Sequence, residues 1–188
     1  MANVNGPVGL VPSRVLGGGC ITSNPYSIAS AYDTAIHVGD PVEMTGTSNN
    51  IGRAAAGTVN AIGVFAGCKF IDAEGRPQFK PYWPANQVAT EIEALVWDDP
   101  NIIFRAQADT LAADDVGALA DWVVGTGNVK TGNSGSYVEG SSTATTGKSL
   151  RILRLLPEVG NEYGAYAKCE VMFAEHALKG VVSGVGGD

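Results

Sequence analysis

Glu91-Ile-Glu-Ala-Leu-Val-Trp97, then Asp98-Asp-Pro-Asn101, then Ile102-Ile-Phe-Arg-Ala-Gln-Ala108 is the stretch whose reading decides the fold. Each flank alternates apolar and polar residues, and a period of two puts one set of side chains on each face of a strand. The four residues between are turn formers, because Asp and Asn side chains bond nearby backbone and Pro fixes φ. The stretch reads as a β-hairpin over 91–108.

Working outward, the same pattern recurs about every ten residues. Thr34-Ala-Ile-His-Val38 and Val42-Glu-Met-Thr45 flank Gly39-Asp-Pro41, and Gly46-Thr-Ser-Asn-Asn50 is a loop. Residues 51–56 and 61–65 supply two further strands, divided by Gly57-Thr-Val-Asn60. Downstream, 150–156 and 163–173 are strands around a turn at 157–161. In the second, Ala167, Cys169, Val171 and Phe173 share one face against Tyr166, Lys168, Glu170 and Met172. Short strands at that spacing belong to sandwiches and small barrels. Residues 112–121 are the best helix candidate, short and weakened by Gly117. The expected fold is therefore mainly β: a small β-barrel or jelly-roll-like sandwich with an extended N-terminal arm and at most one or two short helices.

Composition agrees. The 188 residues include 25 Gly and only 16% charged residues, against a usual quarter, so a helical bundle is disfavoured. The net charge of −7, with no basic run, argues against nucleic acid as a partner. Lys148, Arg151 and Arg154 form the densest basic group and read as a solvated strand surface. The start, interrupted by Pro7 and Pro12, does not resemble a signal peptide, and no apolar run approaches a membrane span; no membrane partner is expected. Cys20, Cys68 and Cys169 lack metal or disulfide spacing and are expected as buried, reduced thiols.

Four segments follow. Residues 1–26 are rich in Gly, Pro and Asn yet carry Val4, Val8, Leu10, Val11, Val15, Leu16 and Ile21, too many apolar groups for a free tail. They read as an arm packed on its own domain or on a neighbouring subunit. Residues 27–176 form the β domain. Within it, 125–148 is nearly devoid of large apolar residues and is expected as an exposed loop or ribbon. Residues 177–188 are expected to fray.

No catalytic template is complete. Thr146-Gly-Lys-Ser149 resembles the end of a phosphate loop, but the required earlier glycine is Ser142 and a strand, not a helix, follows. Gly132-Asn-Ser-Gly135 lacks the second glycine of a nucleophile elbow, since Ser136 stands there. His37 reads as a surface strand residue and His176 as a polar strand terminator, so neither is placed as a base. Asp98-Asp99 and Asp114-Asp115 read as turn and helix-start residues. Tyr82 and Trp83, between Pro81 and Pro84, are rigid aromatics suited to an interface anchor, with packing over a barrel end equally open. No catalytic, metal or cofactor-binding residue is assigned. The protein-interface candidates are Val4, Val8, Leu10, Val11, Tyr26, Tyr82 and Trp83. In a second reading, Tyr82, Trp83 and Trp97 form a stacking platform of an adhesion or carbohydrate-binding module.

Taken together, Asn24-Pro-Tyr-Ser-Ile-Ala-Ser30, Gly39-Asp-Pro-Val42, Ala61-Ile-Gly-Val-Phe-Ala-Gly67, Tyr82-Trp83, Asp98-Asp-Pro-Asn101 and the closing 164–176 segment resemble the head decoration, or cement, proteins of tailed bacteriophages. The similarity spans most of the chain, from Met1 to His176. It implies a small, mainly β, non-enzymatic virion protein, made in the host cytoplasm and bound outside the capsid, with no cofactor. The implied partners are the major capsid protein and further copies of itself, as a homotrimer or, less often, a dimer. A protein that binds only the assembled shell stabilises it by linkage.

Overall fold

The computed structural model describes residues 3–58 and 61–179; the tail expected to fray lies outside them from residue 180 onward. In chain order the strands are β1 (Val11–Val15), β2 (Asn24–Tyr26), β3 (Ile36–His37), β4 (Pro41–Met44), β5 (Ile51–Arg53) and β6 (Ala61–Asp72). Next come β7 (Pro77–Lys80), β8 (Tyr82–Trp83), β9 (Ala89–Trp97), β10 (Ile102–Gln107), β11 (Thr110–Leu111) and β12 (Leu119–Ala120). The rest are β13 (Trp122–Val123), β14 (Tyr137–Val138), β15 (Leu150–Leu155), β16 (Gly164–Ala165) and β17 (Lys168–Phe173). The protein is mainly β, built from several antiparallel sheets and consistent with an all-β sandwich.

One sheet runs β1-β10-β17-β15-β12 and the other β2-β9-β6-β4-β5, with β7 also paired to β6. The second sheet curls until its ends meet. Ser27, just past β2, accepts from the Ile51 N–H at 2.8 Å and donates to Asn49 O at 3.0 Å, which joins β2 to the far strand β5. Inside the curl lie Ile28, Ile36, Val42, Ile51, Phe65, Phe70, Trp83 and Val96. Between the two sheets lies a second core that includes Leu10, Phe104, Trp122, Ile152, Val171 and Phe173. β6 serves both: Ala61 and Val64 face the second core, while Ile62 and Phe65 face the first. Each large side chain so buried contributes about 1.5–3 kcal/mol.

The expected hairpin over 91–108 does not form, because β9 and β10 belong to different sheets. The turn at 98–101 instead carries the chain from one sheet to the other. Alternation assigns side chains to faces but names no pairing partner, and β9 is claimed by β2 and β6 while β10 is claimed by β1 and β17. Adjacent pairing does occur between β4 and β5, and between β6 and β7.

The helix expected at 112–121 shrinks to a 3-10 turn at Ala113–Asp115. The Asp115 carboxylate accepts the Ala112 N–H at 2.7 Å, and Gly117, at φ +91°, donates to Ile152 O at 2.9 Å, which draws the chain into the sheet. A second 3-10 turn spans Gly140–Ser142. The strand expected at 163–173 is split into β16 and β17 at Tyr166, whose φ is +58°. Ala167, Cys169, Val171 and Phe173 are buried as their shared face predicts; Glu170 and Met172, on the other face, are buried too.

Candidate functional site

The N-terminal arm divides at Leu10. From Leu10 to Val15 it belongs to its own subunit: Leu10 is buried in the inter-sheet core, its N–H bonds Gly39 O at 2.9 Å, and β1 pairs with β10. Leu10 is therefore a core residue and not the interface contact expected from the sequence. Val11, half-buried, lines a groove beside it.

Residues 3–8 are held differently, by polar clamps. The buried Gln107 side chain accepts the Gly6 N–H at 2.8 Å and donates to Val4 O at 2.9 Å and Tyr166 O at 3.0 Å. The Asn3 amide donates to Glu162 O at 2.8 Å and Ala165 O at 3.0 Å, and its oxygen accepts the Glu162 N–H at 3.2 Å. The backbone is fixed while the apolar side chains point away. Val4 is 80% exposed and Val8 44% exposed. Val159, Tyr163 and Tyr166 are exposed as well, and Val159 and Tyr166 share a groove lining with Val4. The adjoining groove has Val8, Val11, Ala106 and Leu156 at its apolar part and Arg105, Glu158 and Lys168 as charged members. Tyr166 sits in a left-handed backbone conformation that bulky residues rarely adopt, so its display over this face is maintained against local strain.

Trp83 is fully buried, edge-on to Phe70 with ring centroids 5.2 Å apart. It is a core residue, the alternative the sequence left open, and it is removed from both the interface and the stacking platform. Tyr82 is half-buried and stacks on His37 at 5.4 Å. Tyr26, also half-buried, donates its hydroxyl to Asp98 at 2.8 Å, and the Asn24 amide reaches the same carboxylate at 2.8 Å. Burial, with the Asp98 hydrogen bond, pushes the Tyr26 hydroxyl up to about 12. Its evident role is to lock the crossover turn.

The segment expected as an exposed loop at 125–148 is largely a strap over the sandwich. Its anchor is Asp40, a buried carboxylate that accepts Ser134 Oγ at 2.5 Å, Ser136 Oγ at 2.9 Å and the His37 N–H at 2.8 Å. Val38 donates to Gly132 O at 3.0 Å, and the Ser134 N–H donates to Val38 O at 2.8 Å. The small residues that suggested exposure are what permit this approach: a Cβ on Gly127 would lie 2.3 Å from the His37 ring. His37 is accordingly buried, not on the surface, because the strap covers its outer side. Burial lowers its affinity for a proton, with Asp40 acting in the opposite sense. His176 is likewise buried and its pKa lowered for the same first reason.

Ser, His and Asp thus meet, but not in an order that activates a nucleophile. Ser134 Oγ gives its hydrogen bond to Asp40 and none to His37, whose Nδ1 stands 3.8 Å from Asp40 and whose ring nitrogens lack partners. The cluster's chemistry is that of a fastening. Cys68 and Cys169 are buried as expected, and burial pushes both thiols up to about 12. Cys20 is exposed instead, just past the turn at Leu16 and Gly17 that follows β1.

Gln107 and Asn3 were not singled out from the sequence, because a polar residue on a strand or in an arm carries no mark of what it clamps. Phe79 is 80% exposed on β7, beside Gly67, Lys80, Pro81 and Leu95. Among the described residues no cluster of His, Cys, Asp or Glu is arranged to hold a metal, and no helix is long and apolar enough to cross a membrane. Comparison with known protein families, with curated proteins and with solved structures returned no match.

Proposed function

We propose that this chain is a non-enzymatic virion protein that binds the outside of an assembled phage capsid and stabilises the shell against the pressure of packaged DNA. The observation that carries this reading is the clamped arm. Backbone held by Gln107 and Asn3, with Val4 and Val8 turned outward, is a contact segment whose ordering cost has been met before binding. The motif resemblance to head decoration proteins supports it, and so does the acidic, charge-poor composition, which suits a surface kept off DNA.

Its partners are the major capsid protein and further copies of itself, a homotrimer favoured over a dimer. Modest contacts suffice, because a multimer engages several capsid subunits at once. The stacking-platform alternative loses its central residue to the core, since Trp83 has no exposed surface.

The test is co-sedimentation of the purified protein with heads that lack it. Removing residues 2–16 would take Leu10 and β1 with it, so the informative variants are Val4→Asp and Val8→Asp, which touch no core. They are expected to melt with the parent and to lose head occupancy at least tenfold. Full occupancy by both variants would remove the arm from the mechanism, and failure of the parent to sediment with any head would end the capsid reading.

A further inference from the structure

Asn5-Gly6 is the one Asn-Gly pair in the sequence, and it lies within the stretch that Gln107 clamps at Val4 and Gly6. Asn5 and Gly6 are both exposed. Such a pair rearranges spontaneously when the chain is free: the Gly6 nitrogen attacks Asn5 Cγ, a C–N bond forms, and the side-chain nitrogen leaves as ammonia. Water then opens the succinimide to aspartate or isoaspartate, so a neutral residue becomes an anion and, in the second product, the backbone gains a methylene.

Two features of the structure bear on whether this happens. The Gly6 N–H, the nucleophile once deprotonated, is donated to Gln107 Oε1 at 2.8 Å. Flanking carbonyl Val4 O is held by the same side chain at 2.9 Å, which restricts the backbone rotation that ring closure requires. We infer that Asn5-Gly6 is a self-modification site gated by the Gln107 clamp, closed to the reaction while the arm is docked and open when it lifts. Its product places a negative charge on the residue next to Val4, within the segment assigned above to the capsid. Aged, undocked subunits therefore lose affinity for the shell; this last step rests on that functional reading, whereas the gating does not.

Other asparagines do not compete on equal terms. Asn133 precedes Ser134, whose N–H is bound to Val38 O inside the strap. Gly6 also offers a clean control, since a Cβ placed there meets nothing within 4 Å and its φ lies outside the glycine-only region. Gly6→Ala should slow ring closure by crowding it without disturbing the fold.

The experiment incubates the full chain at mildly alkaline pH and follows the mass increase of one unit at Asn5 by peptide mass spectrometry. Gln107→Ala, which removes two of the arm's hydrogen bonds, is expected to age about tenfold faster than the parent, equivalent to about 1.4 kcal/mol of clamping. Asn3→Ala, which frees the other end without touching the buried Gln107, should accelerate it in the same direction, and Gly6→Ala should suppress it in every background. Thermal melting of each variant separates loss of the clamp from loss of the fold. Equal ageing of parent, Gln107→Ala and Asn3→Ala would overturn the gating, as would reaction predominantly at another asparagine. Aged protein is then compared with Gly6→Ala for head occupancy: a defect confined to the aged form supports the link to the capsid face. Equal occupancy removes that link and leaves the gating standing.

Discussion

Removing the Asp40 carboxylate should be the most damaging polar substitution in the protein. In Asp40→Ala, three buried donors lose their acceptor together: Ser134 Oγ, Ser136 Oγ and the His37 N–H. A buried donor left unpaired costs about 1–3 kcal/mol. The three share one acceptor group and partial relaxation, so the sum is not additive, and a total of about 3–5 kcal/mol is expected. For a chain of this length that corresponds to a fall in Tm of roughly 10 °C. Asp40→Asn keeps the shape but turns an amide donor toward one of the three, and should fall between. Urea denaturation gives the free energy, and hydrogen exchange gives the location: the Ser134 amide, bonded to Val38 O, should lose protection before the amides of β10 and β17. An Asp40→Ala protein within about 1 kcal/mol of the parent, or one destabilised without selective exchange in the strap, would refute the anchoring role.

Three further outcomes follow from the electrostatics and packing. His37 and His176 both have folded pKa values below the usual 6.5, so the unfolded chain binds more protons and stability, full above that pH, declines as pH falls through it; urea midpoints should drop between about pH 7.5 and about pH 5.5. Glu170 is held below its usual 4.5 chiefly by its hydrogen bond from Arg154, so its contribution is present above that value and is lost only on further acidification through the folded pKa. Glu170→Gln removes the negative charge that accepts from Arg154 at 2.8 and 3.0 Å and from Arg14 at 2.9 Å, and turns one of the two acceptor oxygens into a donor facing an arginine; because both arginines are about half exposed, the expected cost is about 1–2 kcal/mol by chemical denaturation. Gly63→Ala would set a Cβ 2.2 Å from Trp97 O at a φ of +154°, so it should prevent β6 from meeting the end of β9 and yield insoluble protein on expression.

The β character and most strand positions were legible in alternation, down to the buried face of Ala167, Cys169, Val171 and Phe173. Pairing was not. The Glu91–Ala108 stretch has the residues of a hairpin, yet Asp98 is bonded to Asn24 and Tyr26, which tie the turn to β2 and direct the next strand into the other sheet. Propensity also misled at 112–121, where the backbone bonds of Gly117 and Ala118 to Ile152, continued by the pairing of β12 with β15, outweigh a weak run of alanines. The strap was not legible for a related reason: a scarcity of large apolar residues reads as exposure, whereas here small residues let backbone approach backbone around Asp40. A glycine spacing such as 125, 127, 132 and 135 signals either, and only the partner decides. The arm face was half legible. Val4 and Val8 stood out as apolar residues in a Pro-Gly segment, while the clamp that orients them depends on Gln107, a hundred residues away.

The central claim is that the chain strengthens an assembled capsid, and the most direct measurement is DNA release from mature heads under heating, with and without saturating protein. Heads lacking the protein should release DNA at a lower temperature, and adding it back should raise that temperature in proportion to occupancy. Heads that bind the protein through the arm yet release DNA at an unchanged temperature would contradict the account.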